Sequence, residues 1–305
     1  MSKNDIKLYD LIDFNNPQEI LNEIKTIVAL IVGDFDNSML ELIYADVESI
    51  FSGKYPGYQA SNTKYHDLEH TSSVMLATAR LIHGSFLKGN TFSSKNILLG
   101  LVASLFHDIG FIQTESDQKG SGAKYTIGHE QRSIDFMKTY LAQKSFPLQD
   151  MEDCSHIIMC TILDLVLDQI PFCSVEIEML GKIVGSADLL AQMADRAYLE
   201  KLFLLFKEFE EAGLPEYDSE FELFQKTENF YKQVAKKRLA HQFNNTYKFM
   251  RLHFNERWNI DQDLYEKSIA TNIYYLKTIV KKCSQSDDCY FQYLRRGGIT
   301  KKLRG

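Results

Sequence analysis

Apolar residues recur three or four positions apart along most of the chain. The spacing is clear over residues 20–31 and 39–50, where it matches the buried face of an amphipathic helix. Alternation with a period of two, which indicates strands, is scarce. The prolines lie where periodic segments begin or end, as helix starts and connections would place them: Pro17, Pro56, Pro147, Pro171 and Pro215. The pattern predicts an all-α protein.

The periodic segments surround a central region that carries the suggestive polar residues. We predict N-terminal helices packing on the core over residues 1–57, a metal-binding core over 58–200, and C-terminal helices of the same domain over 201–285. Residues 286–305 are basic and contain glycine, which predicts a flexible tail. No linker rich in Pro, Gly or Ser separates these parts, which favours one large domain. Apolar positions in the C-terminal part predict further buried helix faces, among them Leu202, Leu205, Phe209, Phe230 and Val234.

Composition narrows the classes of partner and location. The net charge of -7 argues against nucleic acid or an anionic membrane as a partner, because both would reward a basic surface. The N-terminus lacks the apolar run of a secretion signal, and no stretch approaches the roughly 20 apolar residues of a membrane span, so we expect a cytoplasmic protein. The cysteines show no CxxC spacing, and we interpret them as reduced thiols, mostly in the core: Cys154, Cys160, Cys173, Cys283 and Cys289. The oligomeric state is left open.

Residues able to bind a metal lie in three separate helical segments: His70, His107, Asp108 and Asp188. His66 precedes the first of them by four positions, so on a helix the two would share a face. The His-Asp pair ends the apolar run 97–106, and burying an imidazole and a carboxylate there costs free energy unless a partner such as a divalent cation compensates. One ion can bind all four residues only if the helices pack together. The alternative is a set of hydrogen-bonded core or surface residues without a metal.

At these residues the chain resembles the HD-domain superfamily of metal-dependent phosphohydrolases, in particular the branch that contains the cyclic nucleotide phosphodiesterases. That branch carries a signature in which Asn, Tyr-His and His precede a His-Asp pair and a distal Asp. The present chain has the same order and approximate spacing over residues 61–193: Asn62, Tyr65, His66, His70, His107, Asp108 and Asp188.

The resemblance implies an HD-domain helical bundle with additional N- and C-terminal helices, and a role for each matching residue. His70, His107, Asp108 and Asp188 would ligate a first metal, and Asp108 could also bridge to a second. His66 would be the general acid that protonates the leaving oxygen. The reaction implied is hydrolysis of a phosphodiester or phosphomonoester of a small molecule, with a nucleotide as the first candidate. One or two divalent ions would assist it, and Mn²⁺, Mg²⁺, Fe and Zn²⁺ all suit such ligands.

Departures from the signature leave the substrate open. Asp67 stands where the phosphodiesterases have Asn, and Ile109-Gly110-Phe111 replaces an acidic continuation after the His-Asp pair. Gln225 is a candidate for the glutamine that binds the purine in that branch, and the alternative is an exposed helix residue. The alternatives are a nucleotidase or nucleoside triphosphate phosphohydrolase, and a non-catalytic regulatory protein with a structural metal.

A second segment, residues 128–133, resembles the Gly-His-Glu-x-x-Ser stretch of many bacterial HD proteins. It implies that His129 and Glu130 approach a second metal or a substrate phosphate, and the alternative is the surface of a helix start. His156 and Asp164 are further candidates for the site, although the register of His156 does not match the family.

Overall fold

The structure, a computed structural model, describes residues 5–214, 217–283, 288–295 and 297–299. Within these residues, extended backbone pairs at an isolated bridge between Tyr58 and Thr114, and the regular elements are helical. The described α-helices are α1 (Pro17–Ile31), α2 (Ser38–Phe51), α3 (Leu68–Leu87), α4 (Ser94–Phe106), α5 (His129–Gln143), α6 (Leu148–Met159), α7 (Val175–Ala194), α8 (Tyr198–Glu211), α9 (Glu220–Phe230), α10 (Phe249–Trp258), α11 (Leu264–Lys282) and α12 (Asp288–Tyr293). None of these helices is long and apolar enough to cross a membrane. The predicted all-α class is confirmed, and the assignment to the HD type stays a prediction.

Helix starts follow the capping residues. α1 has Pro17 in its first turn, and the side chain of Asn16 caps it by accepting a hydrogen bond from the backbone N–H of Glu19. Pro147 directly precedes α6. Pro56 and Pro171 lie in connections, as predicted, and Pro215 lies outside the described residues.

α3 and α7 form the centre of the bundle. They pack against each other, with α1, α4 and α10 also against α3, and α4, α6 and α11 also against α7. Nearly every side chain of α3 from His70 to Ser85 is buried. Gly84 permits the close packing of α10, because a Cβ at this position would lie 2.0 Å from the carbonyl oxygen of Phe249. Since the candidate ligands lie on α3, at the end of α4 and on α7, this packing brings their three segments together.

The C-terminal segment packs against the bundle as far as the structure describes it. Tyr290 of α12 and the following Leu294 are buried. The backbone N–H groups of Gly297 and Ile299 donate to the buried carboxylate of Glu200, at 2.7 and 3.1 Å. Residues 288–295 and 297–299 of the predicted flexible tail are thus described in contact with the bundle, and the flexibility of the tail stays a prediction. Residues 286, 287, 296 and 300–305 lie outside the described part of the chain.

Two of the cysteines correct the sequence interpretation. Cys283 and Cys289 form a disulfide, with their Cα atoms 5.3 Å apart, where α11 ends and α12 begins. Cys154 and Cys160 are buried free thiols, as expected, and Cys173 is an exposed one. The expectation of five reduced thiols is thus wrong for the C-terminal pair, because pairing depends on the geometry that joins two helices.

Candidate metal centre

The start of α3 positions the first histidines. Asp67 is the N-cap of this helix, and its Oδ1 accepts a hydrogen bond of 2.8 Å from the backbone N–H of His70. His70 therefore lies in the first turn of a buried helix, while His66 precedes the cap. Asp67 therefore serves as a helix cap in this structure.

The end of α4 positions the next pair. His107 keeps helical dihedral angles, whereas Asp108 has φ -109° and ψ 4°, so the helix stops between them. Adjacent side chains on a helix diverge by about 100°, and this break in the helix lets both reach one point. His107 Nε2 lies 3.1 Å from Asp108 Oδ2. This is the bend that a shared metal requires.

Asp188 approaches from α7. A Cβ on the neighbouring Gly185 would lie 2.7 Å from the carbonyl oxygen of Cys160 and 2.5 Å from the ring of Phe243. Glycine at this position therefore allows the segments beside α7 to pack closely. The side chain of Asp188 keeps 21% of its surface exposed, while those of the other three predicted ligands are at most 8% exposed.

The four predicted ligands converge. His70 Nε2 lies 3.4 Å from Asp108 Oδ2 and 3.3 Å from Asp188 Oδ1. His107 Nε2 lies 3.7 Å from the same oxygen of Asp188. Such separations suit ligand atoms that each lie about 2.0–2.2 Å from a common ion. The buried group His70, His107 and Asp108 could therefore hold a metal ion.

Lone pairs in the cluster fit a cation. His107 Nδ1 lies 2.8 Å from the carbonyl oxygen of Ser104, so Nδ1 carries a proton and Nε2 is the nitrogen that faces the cluster. That Nε2 and Asp108 Oδ2 are buried, and neither has a hydrogen-bond partner among the described residues. Two buried lone pairs that face each other cost free energy unless a proton or a cation lies between them. Neutral imidazole and carboxylate together suit divalent metals.

The charges in the cluster favour a cation at this point, either a proton or a metal ion. Burial alone would raise the pKa of Asp108, but the neighbouring histidines hold it well below its usual range. Burial alone would lower the pKa of His107, yet the charges of Asp108 and Asp188 raise it to about 9. A proton therefore competes with a metal for this nitrogen, and metal affinity should fall as the pH falls.

His129 reaches the other oxygen of the central aspartate. Its Nε2 lies 3.4 Å from Asp108 Oδ1, whereas the first two histidines face Oδ2. Glu130 Oε2 lies 3.4 Å from His129 Nδ1. His129 therefore approaches the oxygen of Asp108 that the first two histidines leave open, and Glu130 lies beside the opposite nitrogen of the His129 ring.

Ser133 and Gly110 join α5 to the metal ligands. The Ser133 hydroxyl donates to the carbonyl oxygen of His107 at 2.6 Å and accepts from the backbone N–H of Gly110 at 2.9 Å. A Cβ on Gly110 would lie 2.0 Å from the carbonyl oxygen of His129. Glycine after the His-Asp pair is therefore what allows His129 to approach Asp108.

His66 is held by a residue that sequence reasoning missed. Its Nδ1 lies 2.6 Å from Glu208 Oε2, and the other oxygen of this buried carboxylate accepts from the backbone N–H groups of Lys64 and Tyr65 at 2.9 and 2.8 Å. Glu208 is 142 positions away in the chain and belongs to no motif. The available signal was an acidic residue beside Phe209 in a largely apolar helix.

The surroundings of His66 favour its protonated form. Burial alone lowers the pKa of His66, but the charge of Asp108 and the hydrogen bond to Glu208 raise it above its ordinary value. Phe111 stacks on the imidazole, with 4.2 Å between ring centroids and 12° between planes.

A family profile matches the chain over residues 56–146 and 132–271, which is more than half of its length. The chain belongs to the Npun_R2479-like family. No curated protein matches it at a significant level. The matched residues include the four candidate ligands, His66, His129 and Glu208. The family's description states no activity, so membership assigns no reaction.

In this Npun_R2479-like protein the candidate site opens into a cavity of about 450 Å³. His66, His70, Asp108 and Asp188 are among the residues that line it. The cavity size is that of small-molecule sites.

The other sequence candidates divide into two groups. Asp164 lines the cavity together with Thr161. His156 does not line it, and its ring instead packs against Phe172 with 6.2 Å between centroids. Gln225 is exposed and does not line the cavity either.

Side chains from two helix faces form another part of the wall. Leu202, Leu205 and Phe209 follow Tyr198 at intervals of four, three and four on α8. The same intervals separate Leu223, Thr227, Phe230 and Val234, on α9 and the turn that continues it. Several positions that the sequence predicted as buried faces thus line the cavity next to the candidate metal centre.

Proposed function

We propose that the protein is a metal-dependent phosphohydrolase that cleaves an ester of a small phosphorylated molecule. One juxtaposition supports the proposal. His66, a histidine that favours its protonated form, lines the same cavity as a cluster of histidines and aspartates with metal-ligand spacing. A purely structural metal would need neither the cavity nor the proton donor.

The ligands have distinct tasks in this proposal. His70, His107, Asp108 and Asp188 would hold a divalent ion, which when bound activates water and neutralises charge on the phosphoryl oxygens. Asp108 presents its second oxygen towards His129. His129 and Glu130 would bind either a second ion or an oxygen of the substrate phosphate.

His66 would donate the proton. Its Nδ1 is bound to Glu208, so Nε2 is the atom left to face the substrate. The oxygen of a water molecule forms a new bond to phosphorus, and a proton of that water is lost to the solvent. As the ester P–O bond breaks, its electron pair moves to the leaving oxygen, and the proton on Nε2 transfers to that oxygen. The negative Glu208 stabilises the imidazolium before transfer and orients the ring. A positioned acid of this kind contributes roughly 10²–10⁴-fold to the rate.

Metal analysis combined with a substrate panel tests the proposal. The purified protein should contain a divalent metal and hydrolyse at least one member of a panel of cyclic nucleotides, nucleoside monophosphates, nucleoside triphosphates and p-nitrophenyl phosphate esters. Asp108→Asn should lose both metal and turnover, because it removes a charged ligand central to the cluster. His156→Ala is the matched control and should keep both.

Two results would overturn the proposal. One is an Asp108→Asn variant that loses its metal and keeps full turnover. The other is a metal-loaded wild type that hydrolyses no phosphate ester, which would favour a structural metal in a regulatory protein.

A further inference from the structure

The described lining of the cavity contains histidines but no lysine or arginine that could pair with a chain of phosphates. The carboxylates of Glu130 and Asp164 line it in addition to those of the two aspartate ligands. Each phosphate of a substrate adds negative charge that must be paired when water is excluded. A metal centre and the histidines beside it can neutralise one phosphoryl group, but among the described lining residues no Lys or Arg would pair with further phosphates.

Two arginines contact segments next to the cavity, and both donate to backbone carbonyls. Arg132 donates to the carbonyl oxygens of Gly110 and Ile112, at 2.8 and 3.2 Å. Arg238 is buried and donates to four carbonyl oxygens within residues 160–165, at 2.6 to 3.2 Å. These guanidinium groups therefore hold the loops in place and are not directed at a ligand.

Part of the cavity wall is apolar and partly aromatic. Leu205 and Phe209 from α8, and Phe230 and Val234 from the α9 side, line the cavity and are each only partly buried by the protein itself. A ligand with an apolar or aromatic group would cover these side chains and remove further apolar surface from water.

We infer that the substrate carries a single phosphoryl group esterified to an apolar or aromatic organic group, and that polyphosphates are excluded. This inference rests on the proposed phosphohydrolase function. The inferred substrate argues against the alternative of a nucleoside triphosphate phosphohydrolase, because that enzyme would need cationic side chains along the phosphate chain.

Matched esters test the inference. Phenyl p-nitrophenyl phosphate and methyl p-nitrophenyl phosphate share a leaving group and a single negative charge, and they differ in the apolar group. The phenyl ester should have a kcat/KM about 10- to 100-fold higher, the range that burial of an aromatic ring supplies. Thymidine 5′-triphosphate should be a poorer substrate than the phenyl ester.

Charge variants of the apolar wall sharpen the test. Leu205→Lys and Val234→Lys, on the two different faces, should each reduce the preference for the phenyl ester and raise the relative kcat/KM for the triphosphate. Leu30→Lys is the matched control, because Leu30 is exposed on α1 away from the cavity. Leu30→Lys should leave the preference for the phenyl over the methyl ester, and the relative kcat/KM for the triphosphate, as in the wild type.

Ligand binding provides a readout that does not need turnover. Diphenyl phosphate should raise the Tm of the metal-loaded wild type more than inorganic tripolyphosphate does, and Leu205→Lys should reverse the order. Equal kcat/KM values for the two esters, or a triphosphate preferred by the wild type, would overturn the inference. If no ester is hydrolysed but diphenyl phosphate stabilises the protein selectively, the proposed function fails while the ligand class stands.

Discussion

Replacing Glu208 by Gln isolates the charge that acts on His66. The carboxylate lies 2.6 Å from His66 Nδ1, and its side chain is 6% exposed, so the pair is largely shielded from solvent. Glutamine has the same shape, and its Oε1 can still accept from the backbone N–H groups of Lys64 and Tyr65. Its amide nitrogen would face Nδ1 and donate to it, which favours a neutral imidazole.

The expected effect follows from the sign of the pKa shift. His66 acts while protonated, and its pKa is raised in the folded protein, so activity should be lost as the pH rises through that raised pKa. An adjacent opposite charge shifts the pKa of an ionisable group by about one to three units. Glu208→Gln should therefore move the alkaline limb of the pH profile to lower pH by about that amount. On this limb each pH unit corresponds to about a tenfold loss of kcat/KM.

The assay compares two leaving groups across pH. An ester with an alkoxide leaving group needs the proton from His66, whereas p-nitrophenolate leaves readily without one. The shift should appear with the alkoxide ester and be small with the p-nitrophenyl ester. Glu210→Gln, an exposed change on the same helix, should leave the profile unchanged. An alkaline limb that is identical in Glu208→Gln and wild type for the alkoxide ester would refute the pairing as the source of the acid.

Two further predictions concern stability. Burial, and then the charge of Arg80, hold the pKa of His253 well below its usual value. His253 stays neutral in the folded protein, whereas in the unfolded chain it is protonated below about pH 6.5. The free energy of unfolding should therefore fall as the pH drops below that value, by about 1.4 kcal/mol per pH unit for this group. Urea denaturation should show a shallower pH dependence for His253→Leu, and equal slopes would contradict the assignment. Gly110→Ala should lower stability by about 1–3 kcal/mol, because its Cβ would meet a backbone carbonyl oxygen at 2.0 Å. Gly33→Ala, with nothing within 4 Å of the added Cβ, should be close to neutral in the same thermal-unfolding measurement.

Local information in the sequence was sufficient for the helices and for the identity of the candidate ligands. The apolar run before His107 predicts the buried α4, because spacing and side-chain chemistry are properties of a few neighbouring residues. The order His70, His107-Asp108 and Asp188 indicated a metal site, since imidazoles and carboxylates in apolar surroundings need a compensating partner. The structure brings these residues together.

Tertiary packing alone decided which distant side chains complete the site. Glu208 reaches His66 across 142 positions, and the faces of α8 and α9 line a cavity where the sequence predicted buried core. His156 carries the same chemical group as His129, yet only His129 approaches Asp108. These outcomes depend on the register and angle at which helices pack. Helical periodicity specifies which face of a helix is apolar, and it contains no information about which other helix that face will contact.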